Sequence, residues 1–182
     1  MKNIINKVIF FLRNQGRVKF TANVYNKGTI SLDKKSRISE FVNIYISKGS
    51  RLTMSDGASI GRLSTINIDG DFYLGKNSFI NEKGTIYGGN IEIGEHVLIG
   101  PNVSIFSISH SLSMKEKISS QKSRRFSIKI SNDVWIGSGT NIVGPVSIEQ
   151  GAVVGAGSVV THNIPAYEIW AGNPARKIGA RK

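Results

Sequence analysis

Residues 130–161 read ISNDVW IGSGTN IVGPVS IEQGAV VGAGSV VT, and this stretch decides the fold. Steps of six from Ile130 land on Ile136, Ile142, Ile148, Val154 and Val160, all β-branched aliphatics. The residue after each is often small, as at Gly137 and Gly155, and Val134, Thr140, Val146, Ala152 and Ser158 fill the position four further on. A helix repeats its apolar face every three or four residues and a strand every two, so neither explains a period of six. A three-sided coil does. Each side is a short strand with one aliphatic turned inward, and a small residue takes the corner, where glycine accepts positive φ. Stacked coils then bury a continuous column of Ile and Val.

The same step holds upstream, through Ile93, Ile99 and Ile105, through Leu74, Ile80 and Ile86, through Met54, Ile60 and Ile66, and through Leu32, Ile38 and Ile44. It slips by one residue between Ile86 and Ile93 and by two between Ile66 and Leu74, which reads as bulges or turn insertions. After Ile105 it fails. Residues 107–127 carry Lys115, Lys117, Lys122, Arg124 and Arg125 with no six-step pattern, and the period resumes by Ile128 or Ile130. A polar excursion of this length in a compact solenoid is a candidate functional loop, and His110 stands at its root.

The sequence has 182 residues, 40% of them apolar, which suits one globular domain. It has no cysteine, so disulfides, thiolate nucleophiles and Cys-based metal sites are excluded. Its 24 basic and 12 acidic residues give a net charge of +12, which favours anionic ligands. No RNA- or DNA-binding motif accompanies that charge, so no nucleic acid is expected. Met1 to Leu12 sets apolar residues at spacings of three and four among Lys2, Lys7 and Arg13. This is too short to span a bilayer and lacks a small-residue cleavage site. It predicts an amphipathic segment over 1–20 that packs on the body or on a neighbouring subunit, with peripheral membrane contact through residues 1–13 as the second reading. The expected domains are therefore 1–20 and a β-helix over 21–182, in a cytoplasmic protein.

The tandem aliphatic-Gly units, Val134-Trp135-Ile136-Gly137, Gly155 to Thr161, Ile164-Pro165 and Ala171 to Arg176 together resemble the hexapeptide-repeat acyltransferases, and among them the sugar O-acetyltransferases. The resemblance covers roughly residues 30–178. It implies an all-β, left-handed parallel β-helix, a homotrimer, and acetyl-CoA as acyl donor to a carbohydrate acceptor, without a metal. It implies His110 as general base, Asn81 as a hydrogen-bond partner of the acceptor, and the Ser138 N–H as oxyanion donor. Trp135 would line the thioester end of the donor channel. Gly137, Gly139, Gly155, Ala156 and Gly157 would admit the pantetheine arm, and Thr161, Arg176 and Lys177 would meet the phosphates. One departure is His162, where many relatives carry lysine.

The bare residues support the same chemistry. Acyl transfer to a hydroxyl needs a base, a donor for the developing oxyanion, and two bound substrates. An imidazole titrates near neutrality. His96 lies in a regular unit facing solvent and His162 follows the last glycine-rich unit; His110 alone stands at the loop root and in the position that the resemblance implies for the base. Glu116 is a candidate for orienting its ring. Three readings compete: a three-histidine zinc enzyme on the same solenoid, a non-catalytic solenoid, and an N-acetyltransferase of an amino sugar or of serine. The histidine spacings of 96 to 110 and 110 to 162 disfavour the first.

Overall fold

A computed structural model describes residues 10–14 and 17–182. It is a parallel β-helix of three faces. Face 1 holds eight strands, from Arg37–Ile38 through Ser59–Ile60, Phe79–Ile80, Leu98–Ile99, Trp135–Ile136 and Val153–Val154 to Glu168–Ala171 and Arg176–Ala180. Face 2 holds seven, from Asn23–Asn26 through Asn43–Ile46, Thr65–Ile68, Thr85–Gly88, Ser104–Phe106 and Asn141–Val143 to Val159–Val160. Face 3 holds six, from Thr29–Leu32 through Arg51–Met54, Asp71–Leu74, Ile91–Ile93 and Ile128–Ile130 to Val146–Ile148. The chain passes from face 1 to 2 to 3 and back, each strand but the last of face 1 pairing in parallel with the one a coil away, as in Ile86 beside both Ile66 and Ile105.

The six-step residues are the core. Ile38, Ile44, Met54, Ile60, Ile66, Leu74, Ile80, Ile86, Ile93, Ile99, Ile105, Ile130, Ile136, Ile142, Ile148, Val154 and Val160 are buried. One inward residue per side is too few for faces 2 and 3. Their longer strands turn two inward, as in Ile44 with Ile46, Ile66 with Ile68 and Phe72 with Leu74. Thr140 and Ser158 are fully buried at corners and satisfied by the Gly155 carbonyl.

Every departure from the period of six falls on one edge. From face 1 to 2 and from 3 to 1 the spacing stays six, as in Ile60 to Ile66 and Leu74 to Ile80. From face 2 to 3 it runs Ile44 to Met54, Ile66 to Leu74, Ile86 to Ile93, and then Ile105 to Ile130, which is the loop. Residues added at a corner leave strand register intact, because a shift within a strand would turn its apolar residues outward.

The glycine after each aliphatic is not there for positive φ, contrary to expectation. Gly137 and Gly155 have ordinary φ; the left-handed residue comes two positions later, at Gly139 and Gly157, each with φ of 69°. Gly137 is small because the next coil lies on it: a Cβ would stand 2.5 Å from the Ala156 nitrogen and 2.8 Å from its Cα.

The loop also differs from its irregular sequence. Ile108–His110 and Ser123–Arg125 form an antiparallel ribbon, joined through a 3₁₀ turn at Ile118–Ser120. The Gln121 side chain closes it, donating to the Ser113 and Glu116 carbonyls and accepting from the Ser113 N–H. Of the N-terminal segment, residues 10–13 are helical, Phe10 packs on the core and Phe11 meets Phe20 edge to face at 5.2 Å. Residues 1–9, 15 and 16 of the amphipathic segment lie outside the described residues.

Candidate functional site

The edge between faces 1 and 2 is built from three-residue corners stacked one on another: Ser39-Glu40-Phe41, Gly61-Arg62-Leu63, Asn81-Glu82-Lys83, Gly100-Pro101-Asn102, Gly137-Ser138-Gly139 and Gly155-Ala156-Gly157. The third residue of each is left-handed, with φ between 57° and 69°, and from Leu63 onward its N–H donates to the middle residue of the corner below. This repetition supplies an internal control. Four corners place Phe41, Leu63, Lys83 and Asn102 in the left-handed position, so the geometry does not demand glycine. The last two corners nevertheless use it. A Cβ on Gly157 would have no atom within 4 Å, and one on Gly139 would only reach Gly157 at 4.0 Å. The middle residues change in step, from Glu40, Arg62 and Glu82 to Pro101, Ser138 and Ala156. Arg62 and Glu82 form an ion pair at 3.5 Å across the lower corners. The edge is thus bulky and charged at its N-terminal coils and stripped to a shallow trough at its C-terminal coils.

Within that trough the Ser138 N–H donates to no described residue, while the Ser138 carbonyl accepts from Gly157. Ser138 is exposed and its N–H is flanked by two glycines, the kind of donor an oxyanion requires. Trp135, two residues from the corner on face 1, is 56% exposed and stands in register with Leu98 and Val153. Asn81 lies on the same edge, two coils below Ser138, with its Oδ1 accepting the Glu82 N–H at 2.7 Å. That bond gives the asparagine a turn-forming job in its own chain.

His110 is elsewhere. It ends the first strand of the ribbon on the edge between faces 2 and 3, and its ring is exposed and hydrogen-bonds no described residue of its own chain, Glu116 included. At these coils face 2 separates the two edges by a three-residue strand, about 10 Å at roughly 3.3 Å per residue. Thr161 also belongs to the His110 edge, following Val159–Val160, with its hydroxyl 2.9 Å from His162 Nδ1. One chain therefore brings together Trp135, Gly137, Ser138, Gly139, Gly155, Ala156 and Gly157, with Asn81 below them, but not His110 or Thr161.

Arg176 and Lys177 begin the last strand of face 1, paired antiparallel with Glu168–Ala171. Lys177 Nζ is 2.5 Å from Glu168, whose carboxyl is held below its ordinary value by the Lys177 hydrogen bond and then by that from Trp170 Nε1. Lys177 is thus already committed to a carboxylate, whereas the Arg176 guanidinium spends one N–H on the Ala175 carbonyl and is otherwise exposed. Among the described residues no three His, Asp or Glu side chains gather closely enough to hold a metal ion.

Residues 127–162 match the bacterial transferase hexapeptide family, described as six repeats. Over that stretch the chain is similar to the hexapeptide-repeat transferases. It is 38% identical over 109 residues to the galactoside O-acetyltransferase of Escherichia coli, a match covering 59% of this chain and 53% of that one. It spans about half the length of the curated relatives it matches. Among solved structures it is similar to a hexapeptide-repeat acetyltransferase of Vibrio cholerae complexed with acetyl coenzyme A, with a TM-score of 0.62 and 28% identity over 84% of this chain and 71% of that one. It is also similar to a galactoside acetyltransferase in complex with coenzyme A, with a TM-score of 0.53 and 29% identity over 84% and 64% of the two chains. The hexapeptide match covers the two stripped corners.

Proposed function

We propose that this chain is an acetyl-CoA-dependent O-acetyltransferase of a sugar hydroxyl, working as a homotrimer whose sites each join two copies. The observation that carries the reading is the use of glycine at 139 and 157, where four equivalent corners accept side chains and no described residue occupies the space. Such a cleared edge suits the slender pantetheine arm of a CoA thioester, and the relatives solved with coenzyme A support that donor. The galactoside O-acetyltransferase relative supports a sugar hydroxyl as acceptor. The proposed setting is the cytoplasmic synthesis of surface polysaccharide.

The chemistry follows from the two edges. His110 of one copy removes the acceptor hydroxyl proton as the oxygen attacks the thioester carbonyl carbon. The charge moves to the carbonyl oxygen, where the Ser138 N–H of the neighbouring copy donates to it. Collapse breaks the C–S bond, the sugar ester leaves, and the imidazolium returns its proton to the CoA thiolate. Trp135 covers the thioester end. Arg176 is the freer of the two terminal cations for a CoA phosphate. Thr161 shares the His110 edge, so its contact with the donor comes from the copy that supplies the base. Oligomerisation in a closed ring gives each copy both roles once.

Incubating the protein with acetyl-CoA and a panel of free, nucleotide-linked and amino sugars, with thiol release followed over time, tests this. The expected product is an alkali-labile ester that forms with stoichiometric thiol. An alkali-stable amide as the sole product, or no thiol release with any acceptor, contradicts it.

A further inference from the structure

The ribbon that carries His110 is exposed along both strands, from Ile108 to Arg125, apart from the half-buried Ile108. It is tied down at its base, where the Phe126 N–H donates to the Ser107 carbonyl at 2.8 Å and the buried Ser107 hydroxyl donates to the Gly89 carbonyl at 2.7 Å. One side-chain tether reaches further. Arg125 Nε and Nη2 donate to the two carboxylate oxygens of Asp69 at 2.9 and 2.5 Å. Asp69 lies on the same edge two coils below, where the Thr65–Ile68 strand turns toward face 3.

The register puts this tether beside the base. Arg125 opposes Ile108, Arg124 opposes Ser109 and Ser123 opposes His110. Opposed residues of an antiparallel pair share a face, and so do alternate residues of one strand. Arg125 and His110 are therefore diagonal neighbours on one face of the ribbon, while Arg124 points the other way, 5.4 Å from the Phe126 ring. A bidentate fork fixes orientation as well as distance. With Arg125 61% exposed, the pair adds little to global stability. What it fixes is the height and tilt of the His110 face over the body.

We propose that Asp69 and Arg125 are positioning residues for His110: their ion pair aims the ribbon so that the imidazole meets the acceptor in the neighbouring copy. The proposal rests on the reading of His110 as base. Displacement of a catalytic group by about 1 Å costs on the order of 10²-fold in rate. Asp69→Asn is expected to lower kcat by about tenfold or more, with the KM for acetyl-CoA within about twofold of wild type, because the donor trough is on the other edge. Exchanging the charges, Asp69→Arg with Arg125→Asp, is expected to restore most of the loss. If Asp69→Asn fails to fold, Arg125→Lys, which keeps the charge and loses the fork, takes its place. Unchanged kcat in Asp69→Asn beside an inactive His110→Ala overturns the positioning role alone. A charge exchange that folds but does not regain kcat overturns it too. An active His110→Ala overturns the base assignment and the positioning role together.

Discussion

His110→Ala is expected to lose about 10²–10⁴-fold in turnover, the usual contribution of a positioned general base, with an unchanged melting temperature. The second half of that expectation comes from the structure. His110 is exposed on a ribbon outside the buried column, and its ring hydrogen-bonds no described residue of its own chain, so truncation removes chemistry and no packing. Thiol release with acetyl-CoA and a responsive sugar reads the effect. Release comparable to wild type would remove His110 from the mechanism, and a large fall in melting temperature would assign it to the fold.

Gly157→Leu separates the trough from the fold in the opposite direction. Leu63 already occupies the equivalent corner at φ of 59°, and a Cβ at Gly157 meets no atom within 4 Å. The variant should fold, at about the 1–2 kcal/mol that a side chain costs in left-handed backbone. Its KM for acetyl-CoA should rise by about tenfold or more, each factor of ten corresponding to roughly 1.4 kcal/mol of lost binding. Gly137→Leu is the contrast. A Cβ there runs into the Ala156 backbone, so overpacking of about 1–3 kcal/mol or more should strike stability first. Donor KM unchanged in a folded Gly157→Leu would leave the glycine without the role assigned to it.

The buried column was legible because the same inward position recurs every six residues, and each six-step aliphatic from Ile38 onward is buried. The second inward residues, such as Ile46 and Phe72, were not, since a two-residue alternation inside four-residue strands is too short to stand out. The ribbon was hidden for a related reason: most of its residues face solvent, so no apolar alternation marks Ser123–Arg125 as a strand. The candidate trough and base residues were singled out by motifs, and the placing of His110 opposite a neighbour's donor groove entered only as what the family resemblance implies. Counting sides in threes from Ile80 would have placed Asn81, Ser138 and Ala156 on one edge and His110 on another. Asp69 and Arg125, 56 residues apart, carry no sequence signal for their pairing, which arises only when insertions at one edge bring the loop back over an earlier coil.

That two-edge arrangement makes complementation between defective copies the sharpest test. His110→Ala and Gly157→Leu chains would be assayed alone at low acetyl-CoA and then after unfolding and refolding together. Sites shared between copies predict that the mixture regains activity that neither parent has. About a quarter of the sites would pair an intact base edge with an intact trough for random mixing in a closed ring. Activity no higher than the sum of the parents, in a mixture shown to contain mixed oligomers, would contradict it and place both edges' work within a single chain.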